Sequence, residues 1–193
     1  MGEGEKTRLV AWYDEMKAVH GRLRRALHLV RETATTDEAT TTGEDPASED
    51  PAVDASGRPS TRAPHDAAHA ELLVYCRGFC TALTRHHTSE DTALFPELER
   101  RHPELGATLR ALRQDHSMIA YLVTDLEQTL DRVAHSTSDT ARDLPASRDV
   151  VQRHLDGVGA IMESHFRYEE KALGDVLVAL DLVADREVVL GPF

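Results

Sequence analysis

Between residues 7 and 32 apolar side chains return every three or four positions: Leu9, Trp12, Met16, Leu23, Leu27 and Val30 lie near one broad stripe, with His20 inside it. That period predicts an amphipathic helix. It reappears over 65–101, 104–134 and 148–183, so the chain predicts four long helices and an all-α fold class. In the second, Asp66 stands near the start, Pro96 is expected to kink the helix and Pro103 to end it. The turn to the third helix is very short and forces the two to run antiparallel. Residues 33–64, TATTDEATTTGEDPASEDPAVDASGRPSTRAP, break the pattern with almost no large apolar side chain. Such a stretch cannot offset its ordering entropy by burial. It is expected to be a flexible insertion, and a flap over one end of the bundle is one use for it. Residues 135–147 form the next polar connection, and a tail from 184 is expected to fold back through Val188, Val189, Leu190 and Phe193.

A chain of 193 residues suits one core, so a single domain is expected over 1–193. The 22 Lys and Arg face 34 Asp and Glu, a net charge of -12, which argues against neutralising a phosphate backbone and so against a nucleic-acid partner. No segment approaches the roughly 20 apolar residues that span a bilayer, and MGEGEKTRLV lacks the apolar stretch of a signal peptide. No membrane partner and a cytoplasmic location are therefore expected. Cys76 and Cys80 stand four apart in YCRGFC, a spacing that suits one helix face and not a redox CxxC pair, so both are expected reduced and packed.

The second predicted helix carries His86-His87-Thr88-Ser89-Glu90-Asp91 and the fourth His165-Phe166-Arg167-Tyr168-Glu169-Glu170. Both read His-x-x-x-Glu. Residues four apart lie one turn up the same face, about 6 Å along the axis, so an imidazole and a carboxylate can converge on one metal cluster. Two adjacent cations repel each other, and a bridging carboxylate offsets that charge while neutral imidazoles supply terminal donors. His20 and His116 give every helix at least one histidine. At about 1.5 Å of rise per residue, His86 with Glu90 comes level with His116, and His116 with His165. His20 and His86 match less well: either the first turns of the second helix overhang the end of the first, or a boundary is misplaced. One such pair in an acidic helical protein is usually a surface contact. Two copies with level partners on apolar stripes are different, because carboxylates buried there without a cation would be costly.

The order His, His-x-x-x-Glu, His, His-x-x-x-Glu, with HGRLRRAL around His20, HHTSEDTALFPEL at 86–98 and HFRYEE at 165–170, resembles the hemerythrin-like family, also called the HHE cation-binding domain. The resemblance implies an up-down-up-down antiparallel four-helix bundle around an oxo- or hydroxo-bridged iron pair. Carried over by residue, it implies His20, His86, Glu90, His116, His165 and Glu169 as metal ligands, with Glu90 and Glu169 as bridges. Mn or a mixed Mn/Fe pair would accept the same donors. Oxygen-carrying members have a second histidine four residues after the third-helix one, where this chain has Ala120. The position is then open, filled by water, or taken by a substitute such as Tyr121 or His87. In this the chain resembles actinobacterial-type members, whose leading activity is decomposition of hydrogen peroxide and in which a tyrosine is an extra ligand.

His87 points about 100° away from His86 and is either a group beside the site or a surface residue. Asp91 and Glu170 are expected to cap or to pair at the helix surface, whereas Asp115 is placed to accept a proton from His116 or another ligand imidazole. His28, His65, His69, His102, His135 and His154 read as ordinary polar positions, and Cys76, Phe79 and Cys80 as packing above the site. The expected function is breakdown of hydrogen peroxide by a non-haem di-iron centre. The alternatives are oxygen or nitric oxide binding or sensing, or iron handling, without turnover, and more remotely an oxidative enzyme of specialised metabolism.

Overall fold

Each of the four periodic stretches holds a long helical run among the described residues. The structure, a computed structural model, describes residues 11–35, 62–135 and 144–191. Its elements are α1 (Trp12–Thr35), α2 (Arg62–Ser89), a π-helical turn (Glu90–Leu94), α3 (Phe95–Arg101), a 3-10 turn (Pro103–Leu105), α4 (Gly106–His135), α5 (Leu144–Val178) and α6 (Arg186–Leu190). α2, the π turn and α3 continue one another as a single rod, so α1, this rod, α4 and α5 make an antiparallel four-helix bundle.

Partners along α1 and α5 show the opposed directions. The Trp12 indole donates to the Leu182 carbonyl just beyond α5, Arg24 pairs with Glu163 within it, and Arg31 reaches Asp156 near its start. α4 and α5 are opposed in the same manner, with His116 beside His165 and Asp125 beside His154. The core stripes repeat at three and four residues: Trp12, Met16, Val19, Leu23, Leu27 and Val30 on α1, and Leu109, Leu112, Ile119, Val123, Leu126 and Leu130 on α4. Each such side chain contributes about 1.5–3 kcal/mol by leaving water. His20, His86, Glu90, His116, His165 and Glu169 interrupt these stripes at mid-height and are as buried as the leucines around them.

Several boundaries differ from the sequence reading. α1 continues through Thr35 and α2 has already begun at Arg62, so the expected insertion is shortened at both ends, and 36–61 lies outside the described residues. The connection at 135–147 shortens likewise, because α5 starts at Leu144, while 136–143 lies outside the described residues. His20 and His86 meet although His20 is about 22 Å from the end of α1 and His86 about 36 Å into α2. The overhang is therefore the correct alternative. Pro96 shows its effect as the π turn just before it: Phe95 donates to the Glu90 carbonyl, five residues back, and the proline that follows has no N–H to continue the regular ladder. The fourth long helix ends at Val178, not at 183. Leu180 turns inward, the Leu182 carbonyl is taken by Trp12, and Asp185 caps α6 by accepting from the Glu187 N–H.

The tail does fold back. Val189 and Leu190 are buried and Val188 is exposed, while Phe193 lies outside the described residues. Among the described residues no helix is long and apolar enough to cross a membrane.

Candidate metal centre

Helical spacing lifts Glu90 one turn above His86 and Glu169 one turn above His165, and bundle packing brings His20 and His116 to the same level. Two histidine pairs result. His20 Nε2 stands 3.1 Å from His86 Nε2, and His116 Nε2 stands 3.1 Å from His165 Nε2.

What the outer ring nitrogens touch decides what these contacts are. His86 Nδ1 donates to the Leu190 carbonyl at 2.9 Å, His20 Nδ1 to Glu170 at 2.8 Å, and His116 Nδ1 to Asp91 at 2.9 Å. A carbonyl can only accept, so the proton of a neutral His86 is on Nδ1 and its Nε2 carries a lone pair. The two carboxylates assign the same tautomer to His20 and His116. The His20–His86 contact therefore sets lone pair against lone pair unless a cation or a proton lies between them, and the His116–His165 contact does the same when the His165 proton is on Nδ1, 3.5 Å from Asp115. Two nitrogens bound to one ion at about 2.1 Å each come about 3 Å apart, which is the spacing found.

The carboxylates point to the same positions. Glu90 turns one oxygen to His86 at 3.4 Å and the other to His116 at 3.7 Å, so it faces both pairs. Glu169 Oε2 lies 3.4 Å from His20 and 3.6 Å from His165. All four carboxylate oxygens of Glu90 and Glu169 are buried without a hydrogen-bond partner. An ionised carboxylate left so costs several kcal/mol even after relaxation, and a cation held between the groups removes that cost. The donor set of imidazoles and carboxylates suits iron or manganese.

Burial, reinforced by the neighbouring His20, pushes His86 down to about 3, and burial lowers His165 and His87 as well. These rings are in the neutral form that binds metal. Burial also drives the Glu90 carboxyl well above its ordinary value, with the Glu169 charge adding to it. Glu169 feels the same burial, but the His20 contact outweighs it and holds its carboxyl down at about 2. His20 is opposed by burial and raised overall by Glu169 and Glu170. Without a metal, a proton on His20 is the nearest substitute for the missing positive charge.

Residues 11–177 match the hemerythrin HHE cation binding domain. The chain belongs to that family. No curated protein and no solved structure matches it. The Leu190 carbonyl that fixes His86 lies beyond the stretch matched to the hemerythrin HHE family.

The structure thus brings together all six residues expected at the site: His20, His86, Glu90, His116, His165 and Glu169. It also corrects several neighbours. Asp91 and Glu170 do not merely decorate the surface, because each takes the N–H of a histidine on the adjacent helix, and Arg24 braces Glu170 at 3.0 Å. Each directly follows Glu90 or Glu169, so the repeat is His-x-x-x-Glu-acid, and that shared sixth position was the available signal. Of the two partners expected for Asp115, the structure gives the other imidazole: it lies 3.5 Å from His165 Nδ1 and not at His116. His87 is buried beside the site and not on the surface, stacked at 4.2 Å on His116. Its donor atom lies within 4.8 Å of those of His116 and His165.

Tyr121 is 73% exposed and is no substitute ligand, since five residues beyond His116 it points about 140° round the helix. Phe166 stacks on His20 at 3.8 Å and Phe95 on His116 at 5.4 Å, so both pairs have apolar walls. Cys76 and Cys80 are free and buried, and burial pushes both thiols up to about 12, which leaves them inert packing. His154 bridges the Val150 carbonyl and Asp125, and His28 and His102 face outward, whereas the side chains of His65, His69 and His135 lie outside the described residues.

Proposed function

We propose that the protein holds two iron ions, or manganese on the same donors, and that the centre binds a small ligand such as oxygen, nitric oxide or peroxide. His20 and His86 hold one ion, His116 and His165 hold the other, and Glu90 and Glu169 serve both. The observation that carries this reading is the pair of 3.1 Å contacts between inner ring nitrogens, with the ring protons of His20, His86 and His116 drawn to the outer side by Glu170, Leu190 and Asp91. When bound, the ions supply Lewis acidity and electrons.

The chain's own residues supply the rest. Leu190, Glu170 and Asp91 lock ring orientation, Arg24 holds Glu170 in place, and Phe166 and Phe95 keep water from the imidazole faces. Elemental analysis after iron loading tests the reading. The wild type is expected to retain two ions per chain and His116→Ala fewer; a wild type that retains none overturns it.

A second reading, turnover of hydrogen peroxide, is favoured by Ala120, which places no donor atom one turn after His116 and opens that side of the site. Oxygen evolution from peroxide by the iron-loaded protein is expected to fall in His116→Ala and Glu169→Ala. Equal rates in all three proteins remove the assignment.

A further inference from the structure

α2 and α4 do not close completely over the site. Between them lies a recess of about 160 Å³, rimmed by the exposed Thr84, Thr88, Ser117 and Ala120 and floored by His87 and His116. A single water needs only roughly 10–15 Å³ of such space, so a molecule of two or three heavy atoms fits with room to spare. Ala120 makes the opening: one turn beyond His116 on the same face of α4, its methyl group leaves empty what a longer side chain would fill.

The floor is polar where it matters. His87 is 5% exposed, and its Nε2 is buried with no hydrogen-bond partner. One ring nitrogen of His87 lies within 4.8 Å of one from each of His116 and His165. A buried ring nitrogen left without a partner is unfavourable, and His87 floors the recess beside His116, on whose ring it stacks at 4.2 Å.

We infer that this recess is the entry and binding site for a small Lewis-basic ligand of the peroxide or azide class, which reaches the ion held by His116 and His165 and hydrogen-bonds to His87 through its free end. The inference rests on the two-ion reading above. It adds which of the two positions takes the ligand, the route in, and the residue that contacts it. The His20–His86 position is a poor competitor, because it is walled by the stacked Phe166 ring and the returning C-terminal segment.

The test uses the full chain loaded with cobalt(II), whose visible absorption responds to ligand exchange, and azide as the probe. Metal content is measured first. Azide is expected to shift the spectrum of the wild type. Ala120→Phe, which fills the recess from α4, and Thr84→Phe, which fills it from α2, are each expected to weaken azide binding at least tenfold while retaining two ions. His87→Leu is expected to weaken it roughly threefold to tenfold through the lost hydrogen bond. Two ions bound with no azide response, or with the same azide affinity in both filled variants, overturns the recess and leaves the two-ion reading standing. Failure to bind two ions overturns both.

Discussion

Gly191 sits at φ 83° and ψ 172°, where residues with a Cβ are essentially not found. Alanine there should uncouple the C-terminal segment from the site. The backbone strain is about 1–3 kcal/mol, and the new methyl would come within 3.0 Å of His86 Cα and 3.1 Å of His86 N, helix backbone that cannot swing aside. Against this stand the burial of Val189 and Leu190 at roughly 1.5–3 kcal/mol each and one hydrogen bond of about 1 kcal/mol. Ordering costs about 1–2 kcal/mol per residue over α6, Arg186–Leu190, so the docked segment has little stability to spare. Release frees His86 Nδ1 from the Leu190 carbonyl, and loss of such an outer partner lowers metal affinity about 10–100-fold.

Gly157→Ala is the matched control. Gly157 lies on the exposed face of α5 with nothing within 4 Å of the added methyl, so it should gain about 0.8–1.0 kcal/mol of helix propensity. Stepwise metal affinities by chelator competition, with thermal melts of the metal-free proteins, separate the two. Gly191→Ala is expected to weaken one of the two binding steps and spare the other, and Gly157→Ala to raise the melting temperature alone. A Gly191→Ala protein with both affinities and its melting temperature unchanged would refute the reasoning.

The Glu90 carboxyl is driven above its ordinary 4.5 by burial and then by the charge of Glu169, so its protonated form contributes stability that is intact below about 4.5 and lost as pH rises through the folded value. In metal-free protein, Glu90→Gln should therefore gain melting temperature relative to wild type between about pH 5 and about pH 8, and a flat difference across that range contradicts this. Asp91→Asn should lower affinity at the His116 position about 10–100-fold while Tyr121→Phe changes nothing; chelator competition on both variants checks the contrast. Phe166→Ala removes a fully buried ring stacked on His20 and should cost about 3–5 kcal/mol, read in denaturant unfolding of the metal-free protein.

Helix positions and the buried cluster of histidines and glutamates were legible in the sequence because both are periodic. His86 with Glu90 and His165 with Glu169 repeat at one helical turn, and the stripes carry His20 and His116 to the same depth. Partners that belong to a different helix were not legible. Asp91 and Glu170 look outward when their own helix is viewed alone, and only packing shows that outward there means towards His116 and His20. The Leu190 contact uses a backbone carbonyl, which no side-chain pattern announces. His87 stood evenly between surface and site until burial placed it, and the end of α5 was misread because Leu180 and Leu182 continue the apolar spacing after the helix has stopped.

Anomalous diffraction at the iron edge, from crystals of the iron-loaded protein, tests the central claim most directly. Two peaks are predicted, one between the inner nitrogens of His20 and His86 and one between those of His116 and His165, with Glu90 and Glu169 touching both. Crystals that show no peak inside the bundle, with Glu90 and Glu169 paired to protein groups instead, would contradict it.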